Sequence, residues 1–180
     1  EKKKKKITII FKMLEEFVKI RILNENDFSS KYLNWFLDSE VVKYSENQFK
    51  NFSREKQIKY IRSFENNIHK YLYGIFYNDT HIGNIEINSI NYKIKTAEVT
   101  YIIGEKQYWG KGVATYCISL ISDIAKTEFK LIKLYAGCAS GNIGSIKALE
   151  KNNFLLESSI KNHFFYQNKF MDALKFYKNL

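Results

Sequence analysis

The stretch "GEKQYWGKGVATYCISLI", residues 104–121, decides how the rest of the chain is read. Gly110 and Gly112 flank Lys111, and the residues that follow fall at once into an apolar helical pattern: Val113, Cys117, Leu120, Ile121 and Ile124. Just before it, "TAEVTYII" (96–103) has the composition of a strand. A strand, a tight loop and then a helix aim the helix's unpaired N–H groups and its positive dipole end into the loop, which favours an anion. Glycine at 110 and 112 removes the Cβ atoms that would keep a pyrophosphate off the backbone. The chain has only 8 Gly and no Pro, and three of those glycines (Gly104, Gly110, Gly112) fall here. On this pattern alone, a plain turn and a phosphate cradle both remain open.

Composition narrows the field. A chain of 180 residues, 45% hydrophobic and 16% aromatic, suits one domain with its own core. Cys117 and Cys138 sit in apolar runs and make no secreted disulfide framework, so a reducing, cytoplasmic setting is expected. Residues 1–12, "EKKKKKITIIFK", hold six Lys and one Glu and so supply half of the net +10. They read as an appended, disordered basic tail, with Met13 as the natural start and residues 13–180 as the single domain. The apolar run "ITIIF" is too short for a signal peptide, and no run approaches the roughly 18 apolar residues of a membrane span. His69, His81 and His163 are scattered without metal spacing and read as surface or strand-end residues, so no metal site is expected.

Along the chain, "FVKIRIL" (17–23) alternates as a strand with one wet face. Phe28, Tyr32, Leu33 and Phe36 then recur at helical spacing, and "LDSEVVKYSENQFKNF" follows as a polar, aromatic-studded connection. Ser53 is placed to cap a second helix with the stripe Ile58, Ile61, Phe64 and Ile68. "YLYGIFY" (71–77), the turn "NDT" and "HIGNIEINSI" (81–90) form a hairpin, with 96–103 as a third strand. After the glycine loop and its helix come a strand (131–139), a short helix (142–152) and two closing strands, "FLLESSI" and "KFMDALKFY". The order βααβββαβαββ, with no linker and no repeat, predicts one mixed α/β domain.

These residues carry a family resemblance. "QYWGKGVAT" resembles the Q/R-x-x-G-x-G/A signature of the GNAT N-acetyltransferase superfamily, with Gln107, Gly110 and Gly112 in its defining places. "NIGSIKALEKNNF" (142–154) resembles the family's N-x-x-(A/S)…(G/N)-F helix, and "HFFYQNKFMDALKFYKN" the ending of its ribosomal-protein and polyamine branch. The resemblance covers essentially residues 17–180. It implies an α/β fold with a central mixed, mostly antiparallel sheet and helices on both faces, and acetyl-CoA as co-substrate. The cofactor then falls to Ile102, Ile103, Gln107, Tyr108, Trp109, Gly110, Lys111, Gly112, Val113, Ala114 and Thr115, with Asn142 and Ser145 along the pantetheine. Two positions depart from the family pattern. Asn153 replaces a common Gly, which Asn tolerates. Leu149 stands where many members carry a Tyr acid.

Acetyl transfer to an amine needs a base, a polarised carbonyl and a departing thiolate. The family fold assigns polarisation to backbone around Ile102 and Ile103, where the strand splays from its neighbour. Strand alternation puts Glu98, Thr100 and Ile102 on one face and Val99, Tyr101 and Ile103 on the other. Glu98, amid Val, Ile and Tyr, is the expected base, against the bland alternative of a solvated or Lys-paired carboxylate. Glu86 is the reserve base and an acceptor contact. Ser145 is the nearest hydroxyl to serve as acid, with a helix N-terminal hydrogen bond as its other reading.

Trp35 and Tyr44, among the aromatics of residues 32–49, are expected to contact the acceptor, although core filling is the commoner fate of such rings. "LNWxxDxEVxKY" resembles acetyltransferases of cell-surface sugar pathways, so a nucleotide-linked amino sugar leads and a protein N-terminus follows. A polyamine ranks third, because the positive chain shows no acidic cluster. The acceptor is thus a small-molecule or peptide amine; no membrane partner is expected, and a homodimer stays open. A basic nucleic-acid-binding module is the non-enzyme alternative, but it has no nucleic-acid motif and leaves the glycine loop unexplained.

Overall fold

The computed structural model describes residues 11–180. Residues 11–17 are helical and run into β1 (Val18–Ile22). Then come α1 (Ser30–Leu37), the four-residue α2 (Ser39–Val42), α3 (Arg54–Arg62), β2 (Tyr71–Tyr77), β3 (Thr80–Asn91) and β4 (Thr96–Ile103). After the glycine loop follow α4 (Val113–Thr127), β5 (Lys133–Ala139), α5 (Ile143–Lys151), β6 (Leu155–Tyr166) and β7 (Lys169–Asn179). The seven strands form one sheet in the order β1-β2-β3-β4-β5-β7-β6. Only β4 and β5 run parallel; every other neighbouring pair is antiparallel.

Local chemistry explains the tight connections. Asn78 and Asp79 turn β2 into β3 with φ of 45° and 61°, and Gln167 and Asn168 turn β6 into β7 with 48° and 59°. Two successive left-handed residues suit the right-handed twist of a hairpin, and Asn and Asp tolerate them. Ser53 accepts from the Lys56 N–H and opens α3, as expected. α3 stops at Arg62, however, where Ser63 doubles its N–H onto the Lys59 and Tyr60 carbonyls. The expected stripe is therefore cut short: Ile61 is buried, but Ile68 lies beyond the helix and is 62% exposed.

Both faces of the sheet are covered. Tyr73, Ile75, Ile85, Ile87, Val99 and Leu134 pack against α4 and α5. On the opposite face Leu23, Leu72 and Phe76 pack against Tyr32 and Trp35 of α1 and Ile61 of α3. His81 belongs to this second cluster rather than to the surface. Its ring stacks 5.0 Å from Phe76 and lies 4.9 Å from Trp35, and its Nε2 meets Asn84 Oδ1 at 2.7 Å. Burial holds its imidazole below the ordinary value. Of the expected tail, residues 1–10 lie outside the described residues. Phe11 and Lys12 are helical, and Phe11 sets its ring edge on Tyr116 at 5.3 Å. Leu14 is buried too, so the expected boundary after residue 12 falls inside a packed helical turn. Among the described residues no helix is long and apolar enough to cross a membrane.

One contact fastens α1 to the start of the glycine loop. The Trp35 indole lies so close over Gly104 that a Cβ there would sit 1.9 Å from the ring. Trp35 Nε1 also donates to Glu105 Oε1 at 2.8 Å. Gly104→Ala should therefore push the indole aside at a cost of about 1–3 kcal/mol, as overpacking does. Thermal denaturation should show a fall of about 2–4 °C per kcal/mol for a domain of this size. An unchanged midpoint would contradict the packing described.

Candidate active site

The site begins where two strands part. β4 and β5 are laddered from Thr96 opposite Lys133 to Val99 opposite Ala136, and no further. β4 stays on β3 as far as Ile103 opposite Gly83, and β5 stays on β7 as far as Ala139 opposite Ala173. A wedge opens between them. The Gly104 N–H donates to Ile82 O at 2.9 Å, on the β3 side. Because backbone groups alternate sides along a strand, Ile102 also faces β3, while Tyr101 and Ile103 turn their N–H groups into the wedge. The expected pair Ile102 and Ile103 is corrected to Tyr101 and Ile103. Trp109 Nε1 takes the Ile103 carbonyl at 2.7 Å, folding the loop back against the wedge.

The loop itself has an open floor. Gly110 and Gly112 have φ of 71° and 86°, and a Cβ on Gly110 would meet nothing within 4 Å. Gly112 caps α4 without any side-chain bond, and the first helical N–H with an acceptor is Tyr116, to Gly112 O. The N–H groups of Val113, Ala114 and Thr115 thus have no helical acceptor and point at the loop. Their side chains do not: Val113 and Thr115 are buried. The Tyr108 ring packs 4.8 Å from Tyr77, so its side chain is partly occupied by that contact. Gln107 and Lys111 are exposed at the rim. Unpaired N–H donors around an open glycine floor fit a pyrophosphate.

The second arm is built by α5. Asn142 accepts from the Ser145 N–H at 3.1 Å and caps the helix. Asn153 has φ of 63°, the left-handed conformation expected of it. Leu149 is core. Sequence reasoning missed Asn152, whose buried Nδ2 donates to Thr115 O and Ala148 O, both at 2.9 Å. It ties the end of α5 to the first turn of α4, and its place beside Asn153 in "NNF" was the only signal for it. Tyr101 was missed as well: its hydroxyl oxygen lies 2.5 Å from Ser145 Oγ.

A cavity of about 1200 Å³ joins the wedge to the space between α3 and the C-terminal hairpin. Glu86, Glu98, Tyr44, Asn142 and Ser145 line it together. Trp35 does not; it is a core residue, 3% exposed, and its expected acceptor role is corrected. Glu86 is the carboxylate on the cavity floor with the most partners. Tyr60 donates to its Oε1, Thr100 Oγ1 donates to Oε2 at 3.2 Å, and Asn88 Nδ2 lies 3.5 Å from Oε2. Burial pushes its carboxyl above the ordinary 4.5, and these donors pull part of the way back. Register separates it from Glu98. Glu86 sits opposite Thr100, at the mouth of the wedge, whereas Glu98 sits opposite Tyr135, where β4 and β5 are still joined.

The family model described as acetyltransferase (GNAT) domain matches residues 18–155, and the chain belongs to that family. A Bacillus subtilis protein named as a probable N-acetyltransferase is 33% identical over 109 residues, covering 57% of this chain and 60% of its own. The spermidine N(1)-acetyltransferase of Escherichia coli is 31% identical over 93 residues, 52% of this chain and 50% of its own. The chain thus spans about half the length of the curated relatives it matches. Among solved structures, spermidine N-acetyltransferase from Vibrio cholerae in complex with CoA and spermine superposes with a TM-score of 0.80 at 22% identity, over 91% of this chain and 96% of that one. A ribosomal L7/L12 alpha-N-protein acetyltransferase in complex with coenzyme A gives 0.79 at 16% identity, over 91% and 94%.

Asn152→Leu should leave the Thr115 carbonyl buried without its donor and destabilise the fold by about 1–3 kcal/mol. Urea denaturation checks this; an unchanged midpoint would mean the tie carries no weight.

Proposed function

We propose that this chain is an acetyl-CoA-dependent N-acetyltransferase acting on the primary amine of a small cationic acceptor, the class to which polyamines belong. Two carboxylates on the floor of one cavity, at and just below a wedge of free backbone donors, carry the reading. Glu46 and Glu157 line the same cavity, so the acidic grouping that ordinary sequence order hides is supplied by the fold. The relatives named for spermidine support it.

Acetyl-CoA, when bound, supplies an activated acetyl thioester. Gly110, Gly112 and the N–H groups of Val113, Ala114 and Thr115 hold its pyrophosphate, and Asn142 and Ser145 lie along the pantetheine. The Tyr101 and Ile103 N–H groups face the carbonyl oxygen, where negative charge develops. Glu86 takes the proton of the acceptor's ammonium: desolvation brings its basicity closer to neutrality, where a base works best. Glu98 serves as the second anion that docks the cationic amine. Ser145 donates to the departing sulfur. The buried, unbridged thiols Cys117 and Cys138 suit a reducing, cytoplasmic setting.

A second reading keeps an amino sugar carrying phosphates as acceptor, because Lys50 and Lys56 also line the cavity. Thiol release from acetyl-CoA, followed across spermidine, glucosamine, a nucleotide-linked amino sugar and a peptide with a free N-terminus, separates the two. Spermidine should be fastest. Turnover of the nucleotide-linked sugar alone would favour the second reading, and no turnover of any amine would overturn the first.

For chemistry, Glu86→Gln should lower kcat by on the order of 10²–10⁴, with Glu98→Gln acting mainly on the acceptor KM. Because Glu86 must be deprotonated to act, and its carboxyl is raised, activity should fall as pH drops through a limb above the ordinary 4.5. That limb should be absent in Glu86→Gln. The reverse assignment of kcat and KM would return the base to Glu98. Gly112→Trp should abolish acetyl-CoA binding in calorimetry; retained affinity would remove the cradle.

A further inference from the structure

The family position that commonly carries a tyrosine acid is occupied here by Leu149, which is 1% exposed and belongs to the core. A tyrosine nevertheless reaches α5 from another element, at the first turn of the helix rather than the last, where Leu149 lies. Tyr101 stands on β4, the strand that forms one wall of the wedge, and its hydroxyl oxygen lies 2.5 Å from Ser145 Oγ. We infer that Tyr101 is a positioning residue which aims the Ser145 hydroxyl hydrogen at the departing sulfur. This rests on the reading of Ser145 given above.

Hydrogen counting supports it. A serine hydroxyl has one hydrogen and two lone pairs, and either hydroxyl of the pair can donate; with the phenol, the more acidic partner, as donor, Ser145 is the acceptor. The serine's own hydrogen is then free to point elsewhere. Asn142 Oδ1 is already engaged by the Ser145 backbone N–H. What remains on that side is the cavity, which Ser145, Tyr101 and Cys138 line together. The Cys138 thiol on that lining is kept protonated, since burial pushes it up to about 11. Donation by the phenol polarises the serine O–H and strengthens what it can give in turn.

The proton account closes without ionising Tyr101. Glu86 passes the ammonium proton on to solvent before attack; the amine nitrogen then bonds to the carbonyl carbon, and the proton that this N–C bond makes surplus goes to Glu86. The C–S bond breaks with its electron pair on sulfur, which leaves as a thiolate holding the Ser145 hydrogen bond. The phenol keeps its proton throughout, because burial pushes its ionisation well above the ordinary value.

A double-mutant cycle on the full chain tests this, with kcat and the acetyl-CoA KM measured on the fastest amine of the panel. Ser145→Ala should lower kcat by about tenfold, and Tyr101→Phe by somewhat less. The double variant should be no slower than Ser145→Ala alone, since Tyr101 acts only through Ser145. The thermal midpoint should stay where it is in all three, and Tyr101→Phe should leave the acetyl-CoA KM unchanged. Losses that multiply in the double variant, or a Tyr101→Phe enzyme with full kcat, would overturn the role of Tyr101 and leave the serine reading standing. A Ser145→Ala enzyme with full kcat would overturn both.

Discussion

The parting of β4 from β5 after Val99 and Ala136 is the constraint on which the rest of the molecule depends. Each strand is held away from the other by its outer neighbour. Gly83 brings β3 so close to β4 that a Cβ there would sit 2.3 Å from the Ile102 carbonyl oxygen. Trp35 closes over Gly104, immediately beyond the end of β4. On the other side β5 continues on β7, and the Ser140 N–H donates to Asp172 O at 2.8 Å just past its end. Unpaired backbone groups in a dry interior are costly, so a sheet opens this way only where the groups have something to face. Here they face a polar cavity.

The wedge also organises the charges. The chain carries a net +10, and this argued at first against a cationic acceptor. Net charge acts over the whole surface and within a screening length, whereas a site is governed by the groups that line it. Strand alternation and antiparallel register place Glu86, Asn88, Glu98 and Thr100 on one patch of sheet that α4 does not cover. The carboxylate nearest the wedge is the one that burial makes more basic, and the donors around it keep it oriented. Position along the strand, rather than residue type, separates Glu86 from Glu98.

How much of this could be read from the chain depends on the range of the interaction. Strand 96–103, the glycine loop, the Ser53 cap and the "NDT" turn follow from neighbours in sequence, and the structure has each of them in place. Trp35 was misplaced because its partners, Gly104 and Glu105, lie far along the chain, and an aromatic on an amphipathic helix looks alike whether it faces a ligand or a core. His81 was hidden for the same reason, inside rings brought by α1 and β2. Tyr101 reads in sequence only as a core-facing strand residue, and its bond to Ser145 exists because β4 and α5 meet at the wedge. The direction of the backbone N–H groups, which moves the polarising pair from Ile102 to Tyr101, needs the register with β3.

Amide hydrogen exchange at single-residue resolution, with and without saturating acetyl-CoA, measures the central claim directly. The account predicts that the Tyr101 and Ile103 amides exchange freely in the unliganded chain and become protected on binding, together with Val113, Ala114 and Thr115. The Ile102 amide, already turned to β3, should be protected in both states. Protection confined to the loop, with Tyr101 and Ile103 unchanged, would show that the cofactor does not enter the wedge and would contradict the account.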